Sequence, residues 1–86
     1  MRRDIGEFLL STVNEAQEAI KKGKFRGLAE KLEEACRVAI NDERYSDIAE
    51  RLGDAGDYLF AREHIGRTCR LLDEARQLLS CRDVAT

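Results

Sequence analysis

Apolar residues recur every three or four positions along most of this chain, and its 86 residues include no proline. Such spacing places apolar side chains on one face of an α-helix, and proline would have interrupted these helices. Charged residues make up 37% of the sequence and hydrophobic residues 43%. This balance is typical of a solvated helical bundle rather than of a sheet protein or a disordered chain. We therefore predict an all-α protein.

The apolar spacing divides the chain into four helices. They are predicted at about 4–22, 25–41, 43–54 and 57–80. Every connection is short, which makes consecutive helices antiparallel and predicts a four-helix bundle of two helical hairpins. No linker is evident, so residues 1–86 should form a single helical domain. A short frayed tail is expected at about 82–86.

The predicted helix ends depend on a few capping residues and glycines. Asp4 is a suitable N-cap for the first helix, and Gly23 suits the left-handed turn that follows it. Gly53 and Gly56 predict a turn between the third and fourth helices. Asp57 is then the expected N-cap of the fourth helix.

The three cysteines, Cys36, Cys69 and Cys81, are an odd number and include no C-x-x-C pair. This pattern argues against a disulfide framework or a zinc ribbon. We interpret them as small buried hydrophobic residues in a reducing compartment, which predicts a cytoplasmic protein. No apolar run approaches the roughly 18 residues of a membrane span, and we expect neither a signal peptide nor membrane association.

Charge is balanced and interspersed, with 15 basic and 17 acidic residues and a net charge of −2. No overall field would attract nucleic acid. The best candidate for an anion site is the basic turn formed by Lys21, Lys22, Lys24 and Arg26. Cations at the end of a helix also interact favourably with the helix dipole, so these residues have a structural interpretation as well.

Two glycine–polar–aromatic triplets, Gly23-Lys24-Phe25 and Gly56-Asp57-Tyr58, lie 33 residues apart. Each would join one amphipathic helix to the next. This period resembles that of the tetratricopeptide repeat, a helix–turn–helix unit of about 34 residues. The resemblance covers about residues 9–75.

The tetratricopeptide resemblance implies a protein-interaction module whose partner peptide lies along the first helix of each unit. The matching positions are Leu10, Gln17, Lys21, Glu43, Ser46, Glu50 and Asp54. Leucines at the margins of the apolar stripes indicate a second candidate surface, for another protein or for a homodimer. These marginal residues include Leu10, Leu71 and Leu78.

A competing local match lies at Ile48–Gly53, which resembles the first helix and turn of a DNA-binding helix-turn-helix. Ala49 is the small residue that such a crossing needs, and Leu59 would pack the second helix. However, Asp54 and Asp57 would then face the phosphate backbone, which repels them. Nucleic acid is therefore not the expected partner.

Catalytic and metal-binding patterns are missing from the sequence. The single histidine, His64, has Phe60 and Thr68 one helical turn away, and neither is a usual metal ligand. No P-loop or nucleophile elbow occurs. We predict a non-catalytic protein–protein interaction or regulatory module without a cofactor or metal. The alternatives are a helix-turn-helix regulator and a small structural subunit of a larger assembly.

Overall fold

A computed structural model describes residues 4–61 and 64–85 of the chain, with side chains described as far as Cys81. This part of the chain contains four α-helices, and a short 3-10 turn at Glu43–Tyr45 precedes the third. The helices are α1 (Ile5–Lys21), α2 (Leu28–Ile40), α3 (Ser46–Phe60) and α4 (Ile65–Ala85). The predicted all-α class is confirmed.

The four helices form an antiparallel ring. Each contacts its neighbours in sequence, and α1 also contacts α4. Glu15 in the second half of α1 pairs with Lys31 at the start of α2, with 3.3 Å between Oε2 and Nζ. Arg51 in α3 pairs with Glu74 in the middle of α4 at 3.0 Å. The predicted four-helix bundle is therefore confirmed, and α1 and α3 lie diagonally across it.

One hydrophobic core lies between all four helices. Its largest fully buried side chains are Leu9, Val13, Leu32, Ile48, Leu52, Thr68, Leu72 and Leu79. Complete burial of one such aliphatic side chain stabilises the fold by about 1.5–3 kcal/mol. The polar member, Thr68, directs its hydroxyl to the backbone carbonyl of His64 at 3.5 Å.

The predicted turn at Gly53 and Gly56 is wrong. Helix α3 continues through both glycines to Phe60, and neither has a positive φ. Asp57 is not an N-cap, because it lies inside α3 and its carbonyl accepts a hydrogen bond of 3.1 Å from the Ala61 N–H. The third helix therefore ends six residues later than predicted, and α4 begins at Ile65.

The two glycines allow α3 to approach α2 closely. A β-carbon at position 56 would lie 3.5 Å from the carbonyl oxygen of Ala29 and 3.6 Å from Cβ of Leu32. A β-carbon at position 53 would lie 3.2 Å from Sγ of Cys36. Glycine costs a helix about 1 kcal/mol relative to alanine. Only at position 53 would a β-carbon come closer than ordinary van der Waals contact, so the close packing of the two helices offsets this cost there.

The buried stripe of α4 also differs from the predicted one at its start. Its core stripe runs through Thr68, Leu72 and Ala75, and it leaves Cys69 exposed. The interpretation of the cysteines as buried is therefore wrong for Cys69 and for Cys81, which is also exposed. The helix reaches Ala85 instead of ending near residue 80. Thr86, at the end of the expected tail, lies outside the described residues.

The substitution Gly56→Ala distinguishes a helical conformation from a turn at this position. Because position 56 is helical and a β-carbon there meets only ordinary van der Waals contacts, Gly56→Ala should raise the free energy of unfolding by up to about 1 kcal/mol. Urea denaturation followed by circular dichroism measures this change. A loss of 1 kcal/mol or more would contradict a continuous α3. The larger Gly56→Val should lower stability by about 1–3 kcal/mol through overpacking against α2.

Candidate functional site

The loop between α1 and α2 has a defined backbone conformation. Gly23 has a φ of +71° and follows the last turn of α1. Its N–H donates to the carbonyl of Ile20 at 3.0 Å, and the Lys24 N–H donates to the carbonyl of Ala19 at 2.8 Å. This pair of bonds is a Schellman motif, which confirms the predicted left-handed turn at Gly23.

A second left-handed glycine completes this loop. Gly27 has a φ of +72° and immediately precedes α2. The Leu28 N–H donates to the carbonyl of Phe25 at 3.2 Å, which closes a turn around residues 25–28. Helix α2 therefore begins at Leu28, three residues later than predicted. Phe25 belongs to the loop, where 38% of its surface is exposed.

The connection between α3 and α4 lies at the same end of the bundle as this loop. Ala29 of α2 faces Gly56 of α3, and the two helices are antiparallel. Phe25 lies four residues before Ala29, and Phe60 lies four residues after Gly56, so both aromatic residues lie at this end of the bundle. Phe60 is 82% exposed, the highest value for a large hydrophobic side chain in the described ranges.

Tyr58 holds the start of α4 against the end of α3. The Arg67 Nη1 donates to the Tyr58 hydroxyl at 3.3 Å, and the guanidinium lies 5.9 Å from the ring centre. His64 packs edge-on against the same ring, with the ring centres 5.5 Å apart. His64 has a φ of +54°, which is uncommon for a residue with a side chain. Its carbonyl accepts hydrogen bonds from the N–H groups of Arg67 and Thr68, so this residue immediately precedes α4 and accepts from its first turn.

A cleft of about 940 Å³ opens between the two connections. Its lining residues are Gly23, Lys24, Phe25, Arg26, Leu59 and Ile65. Leu59 is almost fully buried at 4% exposure, Ile65 is half-buried, and Phe25 is partly exposed. We call this region, residues 21–27 together with Leu59, Phe60 and Ile65, the basic end.

The basic end carries positive charge that described acidic groups do not neutralise. Lys21, Lys22, Lys24 and Arg26 are exposed. None of the four forms an ion pair with a residue that the structure describes. Cations elsewhere on the bundle do form such pairs, namely Lys31, Arg37, Arg44, Arg51 and Arg76. The basic turn identified in the sequence therefore stands beside an apolar cleft.

The marginal leucines predicted as a partner surface are half-buried and pack against the core. Leu71 and Leu78 share one stripe of α4 with Arg67 and Glu74, which both bond to side chains of α3. They therefore lie along the side of α4 that faces α3. Leu10 is on a different helix, α1.

The positions implied by the tetratricopeptide resemblance are divided between two helices. Leu10, Gln17 and Lys21 lie on α1, whereas Glu43 and Glu50, with Ser46 and Asp54, lie on or just before α3. These two helices do not contact each other within the described ranges. Their role in binding stays a prediction, and of the whole set only Lys21 belongs to the basic end.

A second, polar cleft of about 520 Å³ lies between α1 and α2. Glu7, Glu15, Glu34 and Lys31 line it together with Phe8 and two hydroxyl side chains. The Lys31–Glu15 ion pair that crosses it is about 60% exposed on each side. Exposed pairs of this kind contribute about 1 kcal/mol or less, so this cleft is an ordinary solvated groove.

Sequence reasoning missed Phe60, Leu59 and Ile65 as members of this site. The sequence signal for Phe60 was its place beside Leu59, one position off the buried stripe of α3. That signal was obscured because the region was assigned to the start of the fourth helix. The observed helix ends show that Phe60 lies exposed at the last turn of α3, next to the connection to α4.

Cys36 is the one cysteine at a helix interface. Its thiol donates to the carbonyl of Ala49 at 3.1 Å. Burial raises the pKa of this thiol, and the nearby carboxylates of Asp57 and Glu33 raise the pKa further. The thiolate is the reactive form, so Cys36 stays protonated and poorly reactive at neutral pH.

No group of three His, Cys, Asp or Glu side chains in the described ranges is arranged to hold a metal ion. No helix in that part of the chain combines the length and the apolar character needed to cross a membrane.

Replacing Gly23 with alanine tests the loop conformation. A β-carbon at this left-handed position should lower the free energy of unfolding by about 1–2 kcal/mol. Gly66→Ala is the matched control, because Gly66 lies in helix α4 with open space around it and should be neutral or stabilising. Equal effects of the two substitutions in thermal or urea denaturation would contradict the left-handed turn.

Thiol alkylation tests the environments of the cysteines. At pH 7.5, iodoacetamide should modify Cys69 and Cys81 in the folded protein well before Cys36. Mass spectrometry of the digested protein at successive times measures each site. Modification of all three at the same rate would contradict the packing of Cys36 between α2 and α3, and the denatured protein gives the reference rates.

No protein-family model, curated protein or solved structure matches the chain.

Proposed function

We propose that the protein is a non-catalytic interaction module that binds another protein at the basic end. The observation that supports this most directly is Phe60, which exposes 82% of its surface beside the cleft of Phe25, Leu59 and Ile65. Large apolar side chains exposed together mark interaction surfaces, and buried aromatic side chains often dominate binding energies. The surrounding cations would form the polar rim of such an interface.

The helix-turn-helix alternative has less support. It needs a turn at Gly53, where α3 is continuous, and it would use Asp54 and Asp57 near the phosphates. The surface of α3 around these residues also includes exposed Glu50. A DNA duplex would meet repulsion along this helix rather than a basic groove.

A second candidate function, a structural subunit of a larger assembly, is favoured by Ile40. This residue is 65% exposed at the end of α2, opposite the basic end. An apolar side chain exposed at each end would suit a subunit with two contacts, including contacts with copies of itself. Static light scattering at high protein concentration tests this, because a particle of 9.8 kDa would be a monomer.

Substitution of Phe60 tests the proposed surface. Phe60→Ser should abolish recovery of the partner in a pull-down from the native host, while changing stability by no more than about 0.5 kcal/mol because the ring is exposed. Ile40→Ser removes an exposed apolar side chain at the opposite end and is the matched control, which should retain the partner. Circular dichroism confirms that both variants fold.

Equal recovery with the Phe60→Ser protein and the unchanged protein would contradict binding at the basic end. If Ile40→Ser loses the partner and Phe60→Ser does not, the binding surface lies at the opposite end of the bundle. That result would favour the structural subunit of a larger assembly.

A further inference from the structure

We infer that the basic end binds an acidic peptide segment that inserts a large apolar side chain into the cleft. The inference rests on the proposed function and specifies the chemistry of the partner. The apolar side chain would contact Phe25, Leu59 and Ile65. Carboxylates on either side of it would meet Lys24 and Arg26 at the rim, with Lys21 and Lys22 close by.

Charge complementarity supports an acidic partner. The chain has a net charge of −2, yet its basic end presents four exposed cations. Elsewhere on the bundle, five lysine and arginine side chains pair with acids, for example Lys31 with Glu15. An acidic segment would therefore be attracted to this end and repelled by the remaining surface, which fixes where it binds.

The shape of the basic end favours a peptide over a flat surface. The cleft has an apolar floor, because Leu59, which lines it with Phe25 and Ile65, is only 4% exposed. Only a group that projects from its own backbone reaches this floor. A lipid bilayer would instead contact the protruding ring of Phe60 and the lysines, and would leave the floor uncovered.

The loop is ordered before binding, which lowers the entropic cost of association. Left-handed backbone at Gly23 and Gly27 and the bond from Lys24 N–H to Ala19 restrict its conformations. The start of α4 is held by the contacts of Tyr58 with Arg67 and His64. Both walls of the cleft are therefore fixed by contacts that need no partner.

Selection from a random peptide library displayed on phage tests the inference on the full chain. The enriched peptides should share acidic residues around a phenylalanine, leucine or similar side chain. One synthetic, fluorescein-labelled peptide from the enriched set is then titrated with the protein by fluorescence anisotropy. Its Kd should rise about tenfold or more with Lys24→Glu and with Phe60→Ser, and should also rise with added salt.

Arg37→Glu is the matched charge reversal. Arg37 is an exposed residue of α2 away from the basic end, where it pairs with Glu33. This variant should change the Kd less than about twofold, as expected for a distant, screened charge. Equal losses from Lys24→Glu and Arg37→Glu would overturn the inference, since binding would then follow net charge alone.

Other outcomes also overturn the inference, and they separate it from the proposed function. If the enriched peptides contain no acidic residues, the acidic partner is rejected. The proposed interaction module is still supported if Phe60→Ser fails to recover the partner protein in the pull-down. If the protein binds no peptide but sediments with phosphatidylserine vesicles, and Phe60→Ser abolishes this sedimentation, the basic end would be assigned to a membrane. A gel shift with duplex DNA that Lys24→Glu abolishes, again without peptide binding, would assign it to nucleic acid.

Discussion

The close contact between α2 and α3 is the interaction on which the rest of the bundle depends. Three small residues of α3, Ala49, Gly53 and Gly56, face α2. A β-carbon at position 53 or 56 would already contact atoms of α2. Helix α3 continues through both glycines to Phe60. The length of α3 in turn decides where the last connection lies. The position of the cleft at the basic end therefore follows from the full length of α3, which includes both glycines.

The sequence was sufficient to predict the helical class, the first two helices and the left-handed turn at Gly23. Their signals are local, because periodicity and capping depend on neighbouring residues. Gly53 and Gly56 were misinterpreted because glycine has two uses, a left-handed turn and the close approach of a backbone. The second use depends on a residue such as Ala29, which is distant in sequence. The error moved the predicted start of α4 to Asp57, eight residues before its observed start at Ile65.

The candidate site was only half predictable for a related reason. The basic turn can be recognised in the sequence because its four cations, Lys21, Lys22, Lys24 and Arg26, lie close together in the chain. Phe60 gains its significance only when α3 and α2 are aligned, since Phe25 lies 35 positions earlier in the chain. An interaction surface built from two connections requires correct helix lengths. A local motif search does not supply them.

The antiparallel ring also determines at which end of the bundle α1 begins and α4 finishes. Helix α1 begins, and α4 finishes, at the end of the bundle opposite the basic end. An affinity tag, a surface anchor or a further domain joined before Ile5 or after Ala85 would consequently be separated from the cleft by the length of the helices. Immobilisation through either terminus would present the cleft to the solution, and two copies joined through their termini would direct their clefts away from each other.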